Sequence, residues 1–185
     1  GLTLDKFKEL ALISKAIGLC PMIRIPEIRY NYIARSLDLG ANGIMIPMVN
    51  NQKEALDIIQ YSKYPPLGRR GAGFGFAHNE YKKDNPIDIM EYANKTLINI
   101  IQIENENGLD NIDEIAKIDN VDCLWVGHFD LSNFLGVPGQ FSSKLYLDAI
   151  NKIVKAGKKF EKSLGIMVST RQEMDFYSDL GFNVI

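Results

Sequence analysis

The sequence predicts an α/β fold in which strands and helices alternate, built either as a (β/α)8 TIM-type barrel or as an open doubly wound sheet. Two observations carry that expectation. Short runs of strand-forming residues alternate with amphipathic stretches at helical spacing along all 185 residues, and the short connections imply parallel pairing through right-handed crossovers. Polar side chains also gather where the strand runs end, which in both architectures is the side on which ligands bind.

Residues 3–17 (TLDKFKELALISKAI) read as a helix, with Thr3 as N-cap and Gly18 as the stop. PMIRIP (21–26) is a short strand, and IRYNYIARSLDLG (28–40) is a helix ended by Gly40. GIMIPMV (43–49) is the next strand, followed by NQKEALDIIQYSKY (51–64), a helix that Pro65 and Pro66 terminate. A glycine-rich loop, GRRGAGFGFAH (68–78), leads to a helix near 86–95 and a strand over 97–103. GLDNIDEIAKI (108–118) is helix, VDCLWVG (121–127) is strand, and DLSNFLGVPGQ is carried by a loop. A long helix over about 143–162, the strand LGIMVS (164–169), a helix over 171–180 and a strand beginning at FNVI (182–185) follow. That makes six strands, and no repeat or linker divides residues 1–185 into further domains.

Formal charge is -2, from 21 basic and 23 acidic residues without long blocks of one sign. Such a balance offers no electrostatic footing for nucleic acid or an anionic membrane. No apolar run approaches the ~18 residues that span a bilayer. Cys20 and Cys123 lie far apart without metal-type spacing, and read as reduced core thiols of an intracellular, cytoplasmic protein.

The chemistry is sought at the strand ends. In IIQIENENGL (100–109), Ile101 and Ile103 point one way while Ile100, Gln102 and Glu104 point the other. A carboxylate on the inward face of a buried strand is costly unless it is paired or bound to a cation. Arg24 ends the strand at 21–26, and Asp130 follows the strand at 121–127 in GHFDLS. Each has a plainer reading: Glu104 as a solvated or salt-bridged strand-end carboxylate, Asp130 as the N-cap of a helical turn through Leu135, Arg24 as counter-ion to either. Taken together, two carboxylates on adjacent strands suit a hard divalent cation that leaves positions for water and substrate oxygens. GRRGAGFG resembles a phosphate cradle beside Arg69 and Arg70, but it follows a helix and opens none, so it reads as a wall of the site. His78 is expected to be a solvated loop residue, and His128 to border the site.

GANGIMIPMVNNQKEA, YPPLGRRGAGFG, IQIENENGLDNIDEIAKIDNVD and GHFDLSNFLGVPGQ, in that order, resemble the HpcH/HpaI aldolase family across nearly the whole chain. The resemblance implies a (β/α)8 barrel, here of about six strands, assembled as a trimer or hexamer. It implies a class II carbon–carbon lyase that cleaves a 2-keto-3-deoxy or 4-hydroxy-2-keto acid to pyruvate and an aldehyde. Citrate-lyase-like or malyl-CoA-lyase-like chemistry on the same scaffold, and a non-catalytic metal-binding remnant, are the rival expectations. By resemblance, Glu104 and Asp130 are the ligands of a divalent cation, Mg2+ or Mn2+ with Co2+ as a third candidate. Gln102 and the backbone of Phe129 and Asp130 contact pyruvate, Arg24 stabilises the enolate, and Asp38 in LDLGANG supports the catalytic base.

The departures are equally specific. GHFDLS stands where the family reads Gly-Pro-Ala-Asp-Leu-Ser, so His128 and Phe129 enlarge the pocket wall. The family's first two strands, the base histidine in the segment after the second of them, and the final helix are absent from these residues. Six strands do not close an eight-stranded barrel. The sequence is therefore expected to be a fragment of a longer polypeptide, or a chain inactive by itself for want of the base.

Overall fold

Thr3 opens the first helix, its hydroxyl accepting the Lys6 backbone N–H, so the capping role expected of it is realised. The computed structural model describes residues 2–185, which divide into two compact units. One unit runs up to Ile46 and includes Asp57–Asn99; the other comprises Pro47–Leu56 and Ile100–Ile185.

The first unit holds α1 (Leu4–Ala16), β1 (Met22–Arg24), α2 (Tyr30–Asp38) and β2 (Gly43–Ile46). It also holds the end of α3 (Gln52–Ser62), a short 3-10 turn at Ala77–Asn79 and α4 (Pro86–Thr96). β1 and β2 pair in parallel, Arg24 opposite Met45. Gly40 ends α2 at φ 106, a left-handed conformation in which a side chain would be strained. Ile33, Leu37, Ile44, Ile46 and Ile58 form its apolar core.

β3 (Ile98–Ile103) begins in the first unit, where the Ile98 N–H donates to the Asn42 carbonyl, and ends in the second. The second unit continues with α5 (Glu106–Asp110), α6 (Ile112–Ala116), β4 (Cys123–Val126), α7 (His128–Phe134), α8 (Lys144–Lys159), β5 (Ser163–Ile166) and α9 (Arg171–Leu180). β3, β4 and β5 pair in parallel, and α8 packs on β4 and β5. Within each unit ladder order follows chain order, β1-β2 in the first and β3-β4-β5 in the second, which is the parallel α/β architecture expected.

Several elements depart from expectation. Five strands, not six, form among the described residues, because 182–185 contributes only a single bridge from Val184 to Gly165. The Asn183 side chain accepts the Leu164 N–H that a continued ladder would use. Residues 108–118 form two short helices hinged at Asn111, which caps the end of one and the start of the other. The start of the expected loop is helical, α7 running to Phe134, and only the residues after it are irregular. Cys20 is exposed, so only Cys123 is a core thiol, its pKa pushed up to about 12 by burial.

His78 also differs from the solvated residue expected. It is half-buried beside Phe74 and Phe76, and neither ring nitrogen has a hydrogen-bond partner among the described residues. Burial, reinforced by the nearby Arg70 charge, lowers its pKa below the usual 6.5. The unfolded chain therefore takes up this proton first, so the associated stability is complete above about pH 6.5 and declines as pH falls below it. Thermal unfolding followed from pH 7.5 to 5.5 is expected to show a smaller loss of Tm in His78→Phe than in the wild type. Equal slopes would remove His78 from the acid response.

Candidate active site

The polar cluster sits at the carboxyl end of β3. Gln102 and Glu104 share a face, and both are buried, Glu104 to 3% exposure. The Gln102 Nε2 donates to Glu104 Oε2 at 2.6 Å, and the backbone N–H of Met48 donates to Glu104 Oε1 at 2.7 Å. Such charge-assisted bonds offset part of the several kcal/mol that burying a carboxylate costs. Gln102 Oε1 is itself buried and has no partner within the described residues. An orphaned acceptor beside a buried carboxylate is a pair of oxygens that suits a cation or a donor from a ligand.

The Met48 amide is aimed by its backbone. Met48 lies just beyond β2 at φ 54, a left-handed conformation rare outside glycine, asparagine and aspartate. Asn50 Nδ2 donates to the Met48 carbonyl at 2.8 Å, and Asn105 Nδ2 donates to Asn50 Oδ1 at 2.8 Å. Asn105 Oδ1 in turn accepts the Gly108 N–H as N-cap of α5. Asn50 and Asn105 are not legible as site residues in the sequence. Their only signal was an Asn-rich stretch directly after each strand, VNN and ENEN.

Nor does the sequence by itself mark Gly127. Its N–H donates to the Ile103 carbonyl at 3.1 Å, which carries the β3–β4 ladder one step past β4 and sets Gly127 beside Glu104. A Cβ there would lie 2.5 Å from Glu104 Oε2 and 2.8 Å from Gln102 Nε2. No side chain fits without displacing the pair.

Gly127 is also the N-cap position of α7, so Asp130 lies in the first turn of that helix and not at its cap. Asp130 is exposed, as is Phe129. A carboxylate in a helix's first turn sits favourably in the field of its free N–H groups. His128 is half-buried, and burial lowers its pKa against the opposing charges of Glu173 and Asp130.

Arg24 and Asp38 belong to the first unit. Arg24 is the last residue of β1 and is exposed. Asp38 closes α2, and its Oδ1 accepts from Arg70 Nη2 at 2.7 Å. Arg70 is buried and lies over the Tyr64 ring at 4.6 Å. One of the two arginines of the glycine-rich segment is thus turned inward against an acid and an aromatic face.

The donor types at the end of β3 fit a hard cation. Among the described residues no cluster of three or more His, Cys, Asp or Glu could hold a metal by itself. Mg2+-type sites take one or two carboxylates and complete their shell with water and substrate oxygens. Glu104, Asp130 and the unpartnered Gln102 Oε1 are oxygen donors of that kind.

A parallel α/β chain with its polar cluster at a strand's carboxyl end falls in the class whose ligands bind on that side of the sheet. The chain belongs to the HpcH/HpaI aldolase/citrate lyase family, whose model matches residues 5–185. It is 32% identical over 169 residues to a hydroxypyruvate/pyruvate aldolase of Roseovarius nubinhibens, covering 89% of this chain and 64% of that protein. It is 31% identical over 167 residues to a 5-keto-4-deoxy-D-glucarate aldolase of Shigella boydii, covering 90% of this chain and 64% of the relative. The crystal structure of an HpcH/HpaI aldolase from Desulfitobacterium hafniense superposes with a TM-score of 0.94 at 28% identity, over 100% of this chain and 71% of that one. The chain therefore spans somewhat under two thirds of the length of these two curated relatives.

Gly127→Ala is expected to cost about 1–3 kcal/mol, the usual effect of forcing an extra carbon into a filled site. Urea denaturation measures it. A variant as stable as the wild type would show that the Gln102–Glu104 pair moves aside freely.

Proposed function

We propose that the whole protein is a class II aldolase that cleaves a 4-hydroxy-2-keto acid, of the 2-keto-3-deoxy type, to pyruvate and an aldehyde. The observation that carries this reading is the buried Glu104 carboxylate, bonded to Gln102 and the Met48 amide, with Gln102 Oε1 left over for a ligand. The aldolase names of the related proteins support the same reaction class. Glu104 and Asp130 would hold a divalent cation, Mg2+ or Mn2+, which when bound supplies Lewis acidity toward the keto acid.

The chain's own residues then have separable tasks. Gln102, fixed through Nε2 by Glu104, presents its Oε1 to the bound keto acid or to water beside it. The backbone of Phe129 and Asp130, in the first turn of α7, offers N–H groups to the carboxylate of the pyruvate portion. In cleavage a base takes the 4-hydroxyl proton so that C4 becomes the aldehyde carbonyl, the C3–C4 bond breaks with its electron pair passing to C3, and C3 then takes up a proton to become the methyl of pyruvate. The sequence resemblance gives Arg24 the task of countering the charge that develops on the keto oxygen. A planar, multi-donor guanidinium suits that task better than an ammonium. Asp38 in support of the base, a trimeric or hexameric assembly and a cytoplasmic location belong to the same proposal.

Glu104→Gln is the decisive variant. It is nearly isosteric, so packing around β3 is retained while one anionic donor is lost. Calorimetric Mn2+ titration and a pyruvate-release assay on the full-length protein are expected to show loss of both binding and turnover. Unchanged metal affinity together with unchanged turnover would remove Glu104 from the site and the aldolase reading with it.

A further inference from the structure

A second cleft opens within the second unit, next to the polar cluster and different from it in chemistry. Its volume is about 440 Å3, within the range of small-molecule sites. Its walls come from residues that follow β4 (His128, Phe129) and β5 (Met167), from Phe141 before α8, and from Glu173 and Phe176 of α9. Three of these rings form one wall. His128 lies 4.5 Å from Phe129 and 5.2 Å from Phe141, and Phe129 lies edge-on to Phe141 at 5.3 Å. Around the cleft Phe129, Met167 and Phe176 stay 61%, 57% and 47% exposed. Large apolar side chains left in water around one concavity mark a place where apolar surface is to be covered.

The charges narrow what covers it. Among the described residues no lysine or arginine lines the cleft, and the single carboxylate that does, Glu173, is engaged in the capping box of α9, accepting the Ser169 and Thr170 N–H groups. An anionic tail, whether carboxylate or phosphate, would find no cation there and one opposing charge. Phe129 joins the two regions: its backbone lies in the α7 turn assigned to pyruvate, and its ring is a wall of the cleft.

Building on the aldolase reading, we infer that this cleft receives the carbon chain beyond C4 of the keto acid, and that the chain is uncharged and apolar, with an aromatic or alkyl end. The protein would then release, or in reverse condense with pyruvate, an aryl- or alkyl-substituted aldehyde in preference to a polyhydroxylated or acidic one. In the condensation a C3 proton leaves pyruvate, C3 bonds to the aldehyde carbon, and the aldehyde oxygen takes up a proton. No further reagent is required.

The test uses the full-length protein with Mn2+ and pyruvate, comparing phenylacetaldehyde, glycolaldehyde and succinic semialdehyde as acceptors. Wild type is expected to favour phenylacetaldehyde over each of the others in kcat/KM by at least about tenfold, a modest return for filling an apolar pocket. Phe176→Ala should lower that ratio several-fold, and Met167→Arg should shift it toward succinic semialdehyde. Because each ratio is taken within one protein sample, partial misfolding of a variant does not distort it. Deuterium exchange at the pyruvate methyl, measured without any aldehyde, separates the two levels of the argument. Exchange without a preference for phenylacetaldehyde overturns this inference and leaves the aldolase reading standing. No exchange, with every acceptor inert, overturns both.

Discussion

The arrangement at the end of β3 depends on one constraint: a carboxylate, Glu104, held out of water. Burying that charge would be prohibitive alone, so the surrounding backbone is shaped to meet it. Met48 adopts a left-handed conformation that turns its N–H toward Oε1, and the Asn50–Asn105 pair holds that turn. Gln102 donates to Oε2, and glycine at 127 leaves room for both side chains. Backbone strain of order 1–3 kcal/mol at Met48 persists only where neighbours over-determine it, and such residues cluster at functional sites.

The second unit keeps its polar cluster and its apolar cleft apart. Oxygen donors and a free amide oxygen stand at the end of β3, while rings and a thioether stand beyond β4 and β5. The residues that depart from the family pattern, His128 and Phe129, lie where the two regions join. Substituting bulky aromatic groups there leaves the strand-end carboxylate untouched and changes what lies next to it. Enzymes on barrel-type scaffolds vary in this way, since strands supply rigid positions and the segments after them supply specificity.

In the first unit the glycine-rich segment serves structure in part. Arg70 is turned inward onto Tyr64 and Asp38, which explains a buried guanidinium in a stretch that otherwise has the composition of a phosphate loop. A pair of this kind says little about net stability, but removing Asp38 would take the carboxylate partner from a buried guanidinium, whereas Asp38 itself is partly exposed. Asp38 is therefore already engaged in orienting Arg70, whatever further part it plays.

What the sequence determined by itself was the alternation of parallel strands and helices, most of their limits, and the two residues that had to share the end of β3. Those follow from local rules: period-two and period-3.6 patterning, an N-cap residue such as Thr3, and a glycine after a helix. The hinge at Asn111 and the helix beginning at His128 were not legible, because neither Asn111 nor Gly127 uses a side chain as a cap. Tertiary structure alone decided what Glu104 meets. Its partner Met48 is 56 residues away, Asn50 and Asn105 are 55 apart, and Arg70 reaches Asp38 across 32. Periodicity reports which face of an element is buried, whereas these bonds depend on the backbone path of the loops between elements, and no local pattern encodes that path.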